Sequence, residues 1–253
     1  MRLLYVVDSF LGLNQNQVTI LCYHSISKKH NKYAVGLTRF KQEIERILRY
    51  AKFVSIEEMI EAKVAGPIVV LTIDDGYEDV MGILPITQSY RIPVSLFVLS
   101  HPQKANRKEL DHGGKLLTMK QIKSLVAKGW TIGGHSATHA DFLKLGASEI
   151  QKEIVDSKSE LERKLGIKIK YFSYPKGVYT QKIIRAVKRA GYKAAFAVAP
   201  SHVGKKANLL TLPRVVIDAS FEARDLPALY SFSTLALRRL MGKWGLTAIL
   251  PVL

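Results

Sequence analysis

Short, mostly apolar runs alternate along the chain with longer segments whose apolar positions recur every three or four residues. The runs are Val18–Tyr23, 67–73, Pro93–Leu99, Trp130–Ile132, Ile167–Phe172, Tyr192–Val198 and Arg214–Ile217. Runs of this length with little polar alternation predict strands buried on both faces. Between them, 38–50 carries Phe40, Ile44, Ile47 and Leu48 on one face, with Thr38 as its expected cap. Ser55-Ile56-Glu57-Glu58 opens a short helix with a capping-type signal. Helices are further predicted over 79–90, over 118–128 ended by Gly129, over 148–165 ended by Gly166 and over 180–190 ended by Gly191. Strands alternating with helices in this way predict parallel βαβ units, and hence an α/β fold: an irregular (β/α) barrel of about seven strands. The pattern divides the chain into an N-terminal extension (1–17), a barrel domain (18–225) and a basic, apolar helical tail (226–253).

The polar residues that interrupt this pattern sit where predicted strands end. His24 follows the first run, Asp74-Asp75-Gly76 the second, His135 and His139 the Trp130 run, and Pro175-Lys176-Gly177 the Ile167 run. In a β/α barrel the C-terminal strand ends converge on one face, where active sites are built. Adjacent aspartates repel unless something positive compensates them, and Gly76 permits the turn that brings both to one cavity. His135 and His139 are spaced i, i+4, which on a helical turn puts both imidazoles on one side, so that both bind one ion. One carboxylate added to them gives a two-histidine, one-carboxylate set suited to zinc or another divalent transition metal, with positions left for water and substrate. The remaining carboxylate is then a general base beside the ion.

Composition narrows the partners. The 253 residues are 47% hydrophobic and 23% charged, enough for a full core, and the formal net charge of +17 favours anionic or acidic partners. No zinc-finger spacing or arginine-rich arm accompanies it, which argues against specific nucleic-acid recognition. Cys22 is the single cysteine, so no intramolecular disulfide forms. The opening apolar run, Leu3 to Val7, is cut by Asp8 and reads as too short for a secretory core. The tail, with Leu237, Leu240, Trp244, Arg238, Arg239 and Lys243, suits packing on the barrel or an anionic membrane surface.

These residues resemble a known family. Leu71-Thr72-Ile73-Asp74-Asp75-Gly76 is similar to the Thr-Phe-Asp-Asp-Gly signature of the polysaccharide deacetylases, the family 4 carbohydrate esterases. His135-Ser136-Ala137-Thr138-His139 resembles their His-Ser/Thr-x-x-His metal motif, in the same order and at a fitting distance. The resemblance implies a distorted (β/α) barrel and metal-dependent removal of acetyl groups from N-acetylated sugars. It implies Zn2+, or Co2+, Ni2+ or Fe2+, held by Asp75, His135 and His139, with Asp74 as the general base. The family's third motif, Arg-x-Pro-Tyr/Phe-Gly, stands here as Ser173-Tyr174-Pro175-Lys176-Gly177. Its arginine, which orients the base, is Ser173; Arg214, from a later strand, is the candidate replacement. The Lys176 N–H is then the oxyanion donor, with Tyr174, Pro175 and Gly177 around the substrate. The family's C-terminal acid histidine has no counterpart after His202. Leu21-Cys22-Tyr23-His24-Ser25-Ile26 instead resembles the N-terminal segment of the biofilm poly-β-1,6-N-acetylglucosamine deacetylases, which implies His24 as the general acid. A glycan substrate implies the cell envelope or a membrane-associated cytoplasmic face.

Overall fold

The computed structural model describes residues 17–27, 32–105, 110, 114–204 and 206–219. The rest of the expected extension and the whole tail, with His30 and His112, lie outside the described residues.

Eight parallel strands form one sheet: β1 (Val18–Tyr23), β2 (Lys52–Phe53), β3 (Ile68–Ile73), β4 (Val94–Val98), β5 (Thr131–Gly134), β6 (Tyr171–Ser173), β7 (Ala194–Phe196) and β8 (Val215–Val216). Their order is β7-β6-β5-β4-β3-β1-β8. The short β2 pairs with the start of β3 (Phe53 opposite Val69), and β4 takes over the same edge further along (Leu71 opposite Val94). Past β7, Phe196 bridges Leu212, and Ala199 N donates to Arg214 O (3.0 Å). The curled sheet thus returns on itself, as an irregular (β/α) barrel requires.

The helices are α1 (Leu37–Ile47), α2 (Ile56–Ile60), α3 (Leu84–Ser89), α4 (Met119–Ala127), α5 (Ala147–Gln151), α6 (Ser157–Leu165) and α7 (Gln181–Arg189). Capping boxes at Ser55/Glu58 and Thr118/Gln121 start α2 and α4, and Gly166 ends α6 in the left-handed region. Three expectations change. Gly36, not Thr38, precedes the first turn of α1. The 79–90 helix is a 3₁₀ stretch, Glu78–Ile83, followed by α3, with Pro85 at the start of α3, where its missing N–H costs no helical bond. The 148–165 helix is two α segments joined by a π-helical turn, Lys152–Asp156. Strands β6 and β7 are also shorter than the apolar runs that contain them.

Strand parity separates two cores. Leu21, Tyr23, Val69, Leu71, Ile73 and Phe172 face the helices. Ile20, Ile68, Val70, Phe97, Tyr171, Ala194 and Phe196 fill the barrel interior. Since side chains alternate with period two, the next inward positions are Cys22 and His24 on β1, Thr72 and Asp74 on β3, and Ser173 on β6. Gly133 occupies the inward position of β5; a Cβ there would lie 2.4 Å from the Phe97 ring. His135 is the following inward residue. The polar chemistry is therefore the last interior layer of the barrel, above a floor of apolar and aromatic side chains. Among the described residues, no helix is long and apolar enough to cross a membrane.

Candidate active site

Strand register sets the level of the site. Tyr23 pairs with Ile73, and Asp74 N donates to Tyr23 O (2.9 Å), so His24 and Asp74 stand side by side. Gly134 pairs with Phe172, which sets His135 beside Ser173. The two aspartates part company because Asp75 adopts φ +70° and Gly76 φ +76°. A non-glycine residue in that region is strained, a condition found at functional sites.

Asp74 is held by several donors. Arg214 Nη1 donates to Oδ1 (2.7 Å) and Nη2 to Oδ2 (2.6 Å), in a two-pronged pair. Ser173 Oγ donates to Oδ2 (2.9 Å) and accepts from Arg214 Nη2 (2.8 Å). Cys22 Sγ reaches the same oxygen at 3.5 Å. Arg214 is fully buried, donates to Ala197 O (3.2 Å) and lies over the Phe97 and Phe196 rings. It precedes β8, so its guanidinium extends through the barrel interior to reach the base. Burial would raise the Asp74 carboxyl, but Arg214 outweighs it and holds the group well below the usual carboxylate range.

Asp75 has no such partner. Its Oδ1 makes no hydrogen bond, though it lies 3.2 Å from His135 Nε2 and 3.6 Å from His139 Nε2. His135 Nδ1 is 2.9 Å from Ser173 O, and a carbonyl only accepts, so Nδ1 carries a proton and Nε2 is the nitrogen turned toward Asp75. Burial would lower this imidazole, but the Asp74 and Asp75 carboxylates outweigh it and push it up. Burial pushes the His139 imidazole down to about 4, so it is neutral near pH 7. Two imidazole nitrogens thus converge on a buried carboxylate oxygen that makes no hydrogen bond, an arrangement that a cation would satisfy. Oxygen and nitrogen ligands of a tetrahedral ion at 2.0–2.1 Å stand about 3.3 Å apart, close to the separations found here. The residues fit a divalent cation by donor type, spacing and unmet charge.

The histidine spacing works through a loop, not the expected helical turn. Residues 135–139 are irregular, with Ser136 and His139 at φ +68° and +61°. Ser136 Oγ accepts from His139 N (2.9 Å). Glu153, inside the π-helical turn, accepts from Ala137 N and Thr138 N (2.9 Å each) and from Thr138 Oγ1 (2.8 Å). Sequence reasoning missed Glu153, which is hidden in an apparently regular amphipathic helix. It also missed Asp79, which accepts from Ser25 Oγ (2.6 Å) and Ile26 N (3.1 Å) and so fixes the segment after His24.

His24 belongs to the same cavity. One of its ring nitrogens, the Cys22 sulfur and an Asp74 oxygen lie within 4.8 Å of one another. Its ring packs on Tyr33, and Nδ1 has no hydrogen-bond partner. Burial lowers the imidazole, and the Asp75 and Asp74 charges counter this in part.

The Ser173–Gly177 segment divides. Gly177 has φ +69°, and a Cβ would lie 2.5 Å from Val198, so the tight turn requires glycine. Lys176 adopts φ +58°, and its ammonium is 3.7 Å from Asp141. Pro175 is buried in the turn. Tyr174 corrects the expectation of a substrate contact. Its ring is fully buried against Phe172 and Tyr179, and its hydroxyl donates to Leu210 O (2.8 Å). Among the other histidines, His101 pairs with Ser100 Oγ, and His202 with Thr19 Oγ1 at the start of β1.

Comparison with known proteins agrees with this geometry. The polysaccharide deacetylase family profile matches residues 61–195. That span holds Asp74, Asp75, His135, His139 and Ser173, and leaves His24 and Arg214 outside. The chain is similar to the poly-β-1,6-N-acetyl-D-glucosamine N-deacetylase of Staphylococcus aureus (strain MSSA476), 26% identical over 247 residues, covering 87% of this chain and 83% of the relative. In fold it is similar to the Streptococcus pyogenes deacetylase PplD in complex with acetate (TM-score 0.73, 23% identity, 86% of this chain and 99% of that one). It is likewise similar to IcaB from Ammonifex degensii (TM-score 0.72, 21% identity, 87% of this chain and 97% of that one).

Proposed function

The chain belongs to the polysaccharide deacetylase family, and we propose that it is a metal-dependent hydrolase that removes N-acetyl groups from N-acetylhexosamine-containing glycans, releasing acetate. One observation carries the reading: the adjacent aspartates have opposite environments. Asp74 is bound to a guanidinium, and Asp75 faces two imidazole nitrogens.

In this reading Asp75, His135 and His139 hold a divalent cation, Zn2+ or Co2+, Ni2+ or Fe2+. When bound, such an ion lowers the pKa of water and polarises the acetamide carbonyl. Asp74, kept ionised by Arg214, takes the proton of the attacking water. The Lys176 N–H, in the tight turn after β6, is the proposed donor to the oxyanion of the tetrahedral intermediate. His24 gives a proton to the departing amine, leaving a free amino sugar. The Staphylococcus relative makes β-1,6-linked N-acetylglucosamine polymer the first substrate to test. Such a polymer suits work at the cell envelope, where residues 226–253 are proposed to meet an anionic membrane surface.

The test is acetate release from β-1,6-linked N-acetylglucosamine oligomers, chitin oligomers and peptidoglycan fragments, with and without chelator. Release that stops with chelator and returns with one of the four metals is expected. Undiminished release after complete metal removal, or none from any glycan with metal present, overturns the proposal.

A further inference from the structure

The Ser173–Gly177 segment departs from the family signature at its first residue, the last of β6, and the structure gives that residue an unexpected set of contacts. Ser173 is fully buried. Its hydroxyl donates to Asp74 Oδ2 (2.9 Å) and accepts from Arg214 Nη2 (2.8 Å). Its backbone carbonyl accepts from His135 Nδ1 (2.9 Å). One residue therefore touches the base, the arginine that pairs with it, and a histidine of the metal set.

The donors on Asp74 are unevenly shared. Oδ2 receives Arg214 Nη2, Ser173 Oγ and Cys22 Sγ; Oδ1 receives Arg214 Nη1. A carboxylate oxygen offers about two acceptor positions. Oδ2 is thus filled, and Oδ1 keeps one lone pair for another donor. Without the Ser173 hydroxyl, Oδ2 loses its second strong donor, and the guanidinium fork alone sets the tilt of the carboxylate.

We propose that Ser173 is a positioning residue for catalysis: its hydroxyl locks Asp74 Oδ2 against Arg214, which directs Oδ1 at the attacking water. The inference rests on the deacetylase reading above. It assigns the proton-accepting atom, and it explains why a serine suffices where the family signature has arginine. With Arg214 entering from beside β8, the position on β6 needs only a small side chain that both donates and accepts.

The experiment compares the full chain with Ser173→Ala, Ser173→Thr and Ser173→Cys on a soluble β-1,6-linked N-acetylglucosamine oligomer. Bound metal is measured by elemental analysis and folding by thermal melting. Losing a hydrogen bond to a charged group corresponds to about a tenfold or greater fall in kcat for Ser173→Ala. KM and metal stoichiometry stay at wild-type values, since substrate binding and the backbone contact to His135 are untouched. Ser173→Thr or Ser173→Cys recovers part of the rate by restoring a donor. A kcat within twofold of wild type in a folded, metal-loaded Ser173→Ala protein overturns the proposal. So does a loss that appears only in KM, or only together with lost metal. A metal-loaded wild-type protein that releases no acetate from this oligomer or from any of the other glycans above refutes the deacetylase reading instead, which keeps the two failures apart.

Discussion

The loop that presents both histidines is held from outside by one side chain, and removing it gives a graded test. Glu153 accepts two backbone N–H bonds through Oε2, from Ala137 and Thr138, and the Thr138 hydroxyl through Oε1. Glu153→Ala strands the two backbone donors. Each stranded donor costs about 1–3 kcal/mol, or roughly 2–6 kcal/mol together if the loop keeps its shape. The loop relaxes to recover part of this, and the relaxation displaces His135 and His139, which flank the two donors. Groups that orient metal ligands from behind are typically worth about 10–100-fold in metal affinity, and that loss is expected here. Glu153→Gln is the control. Its amide oxygen still faces both N–H groups, and its NH2 meets the Thr138 hydroxyl, which turns to accept. Only charge assistance disappears, so its affinity falls between those of wild type and Glu153→Ala. Calorimetric titration of the metal-free protein with Zn2+ and with Co2+ measures the series without reference to turnover. Equal affinity for all three proteins would refute the assigned role.

Three further outcomes follow from the site. Asp74→Asn keeps its metal by elemental analysis and loses about 10²- to 10⁴-fold in kcat; full activity would remove Asp74 as the base. Arg214→Ala leaves the Asp74 charge buried and unpaired, which costs about 3–5 kcal/mol in denaturant unfolding, and an unchanged midpoint would contradict the pairing. Tyr174→Phe loses one hydrogen bond to Leu210 O and about 1 kcal/mol of stability, with kcat and KM unchanged; a fall in either kinetic constant would return Tyr174 to the substrate surface.

The sequence made the site's chemistry legible because inward strand positions carry it. Asp74, His24 and Ser173 lie at the ends of apolar runs, and the run itself marks the strand. Arg214 was reachable only as a candidate: its contact with Asp74 spans 140 positions and depends on barrel closure. Tyr174 misled because its neighbours in the chain belong to the site while its own parity turns it toward the helices. Glu153 left no trace, since a π turn inserts one residue into an otherwise periodic helix and swings a polar side chain inward. The break in the 79–90 helix was marked by Pro85, whereas the lengths of β6 and β7 depend on pairing that apolar content does not report.

The barrel's closing strand also sets when the enzyme becomes competent during synthesis. Once the loop after β5 is made, a nascent chain contains all three proposed metal ligands, Asp75, His135 and His139. It does not yet contain the guanidinium that tames the neighbouring Asp74, because Arg214 arrives just before β8, and β8 docks on β1 through Leu21 and Cys22. Ion capture can therefore precede the completed base by several strands. On the proposed reading, hydrolytic competence arrives when β8 reaches β1.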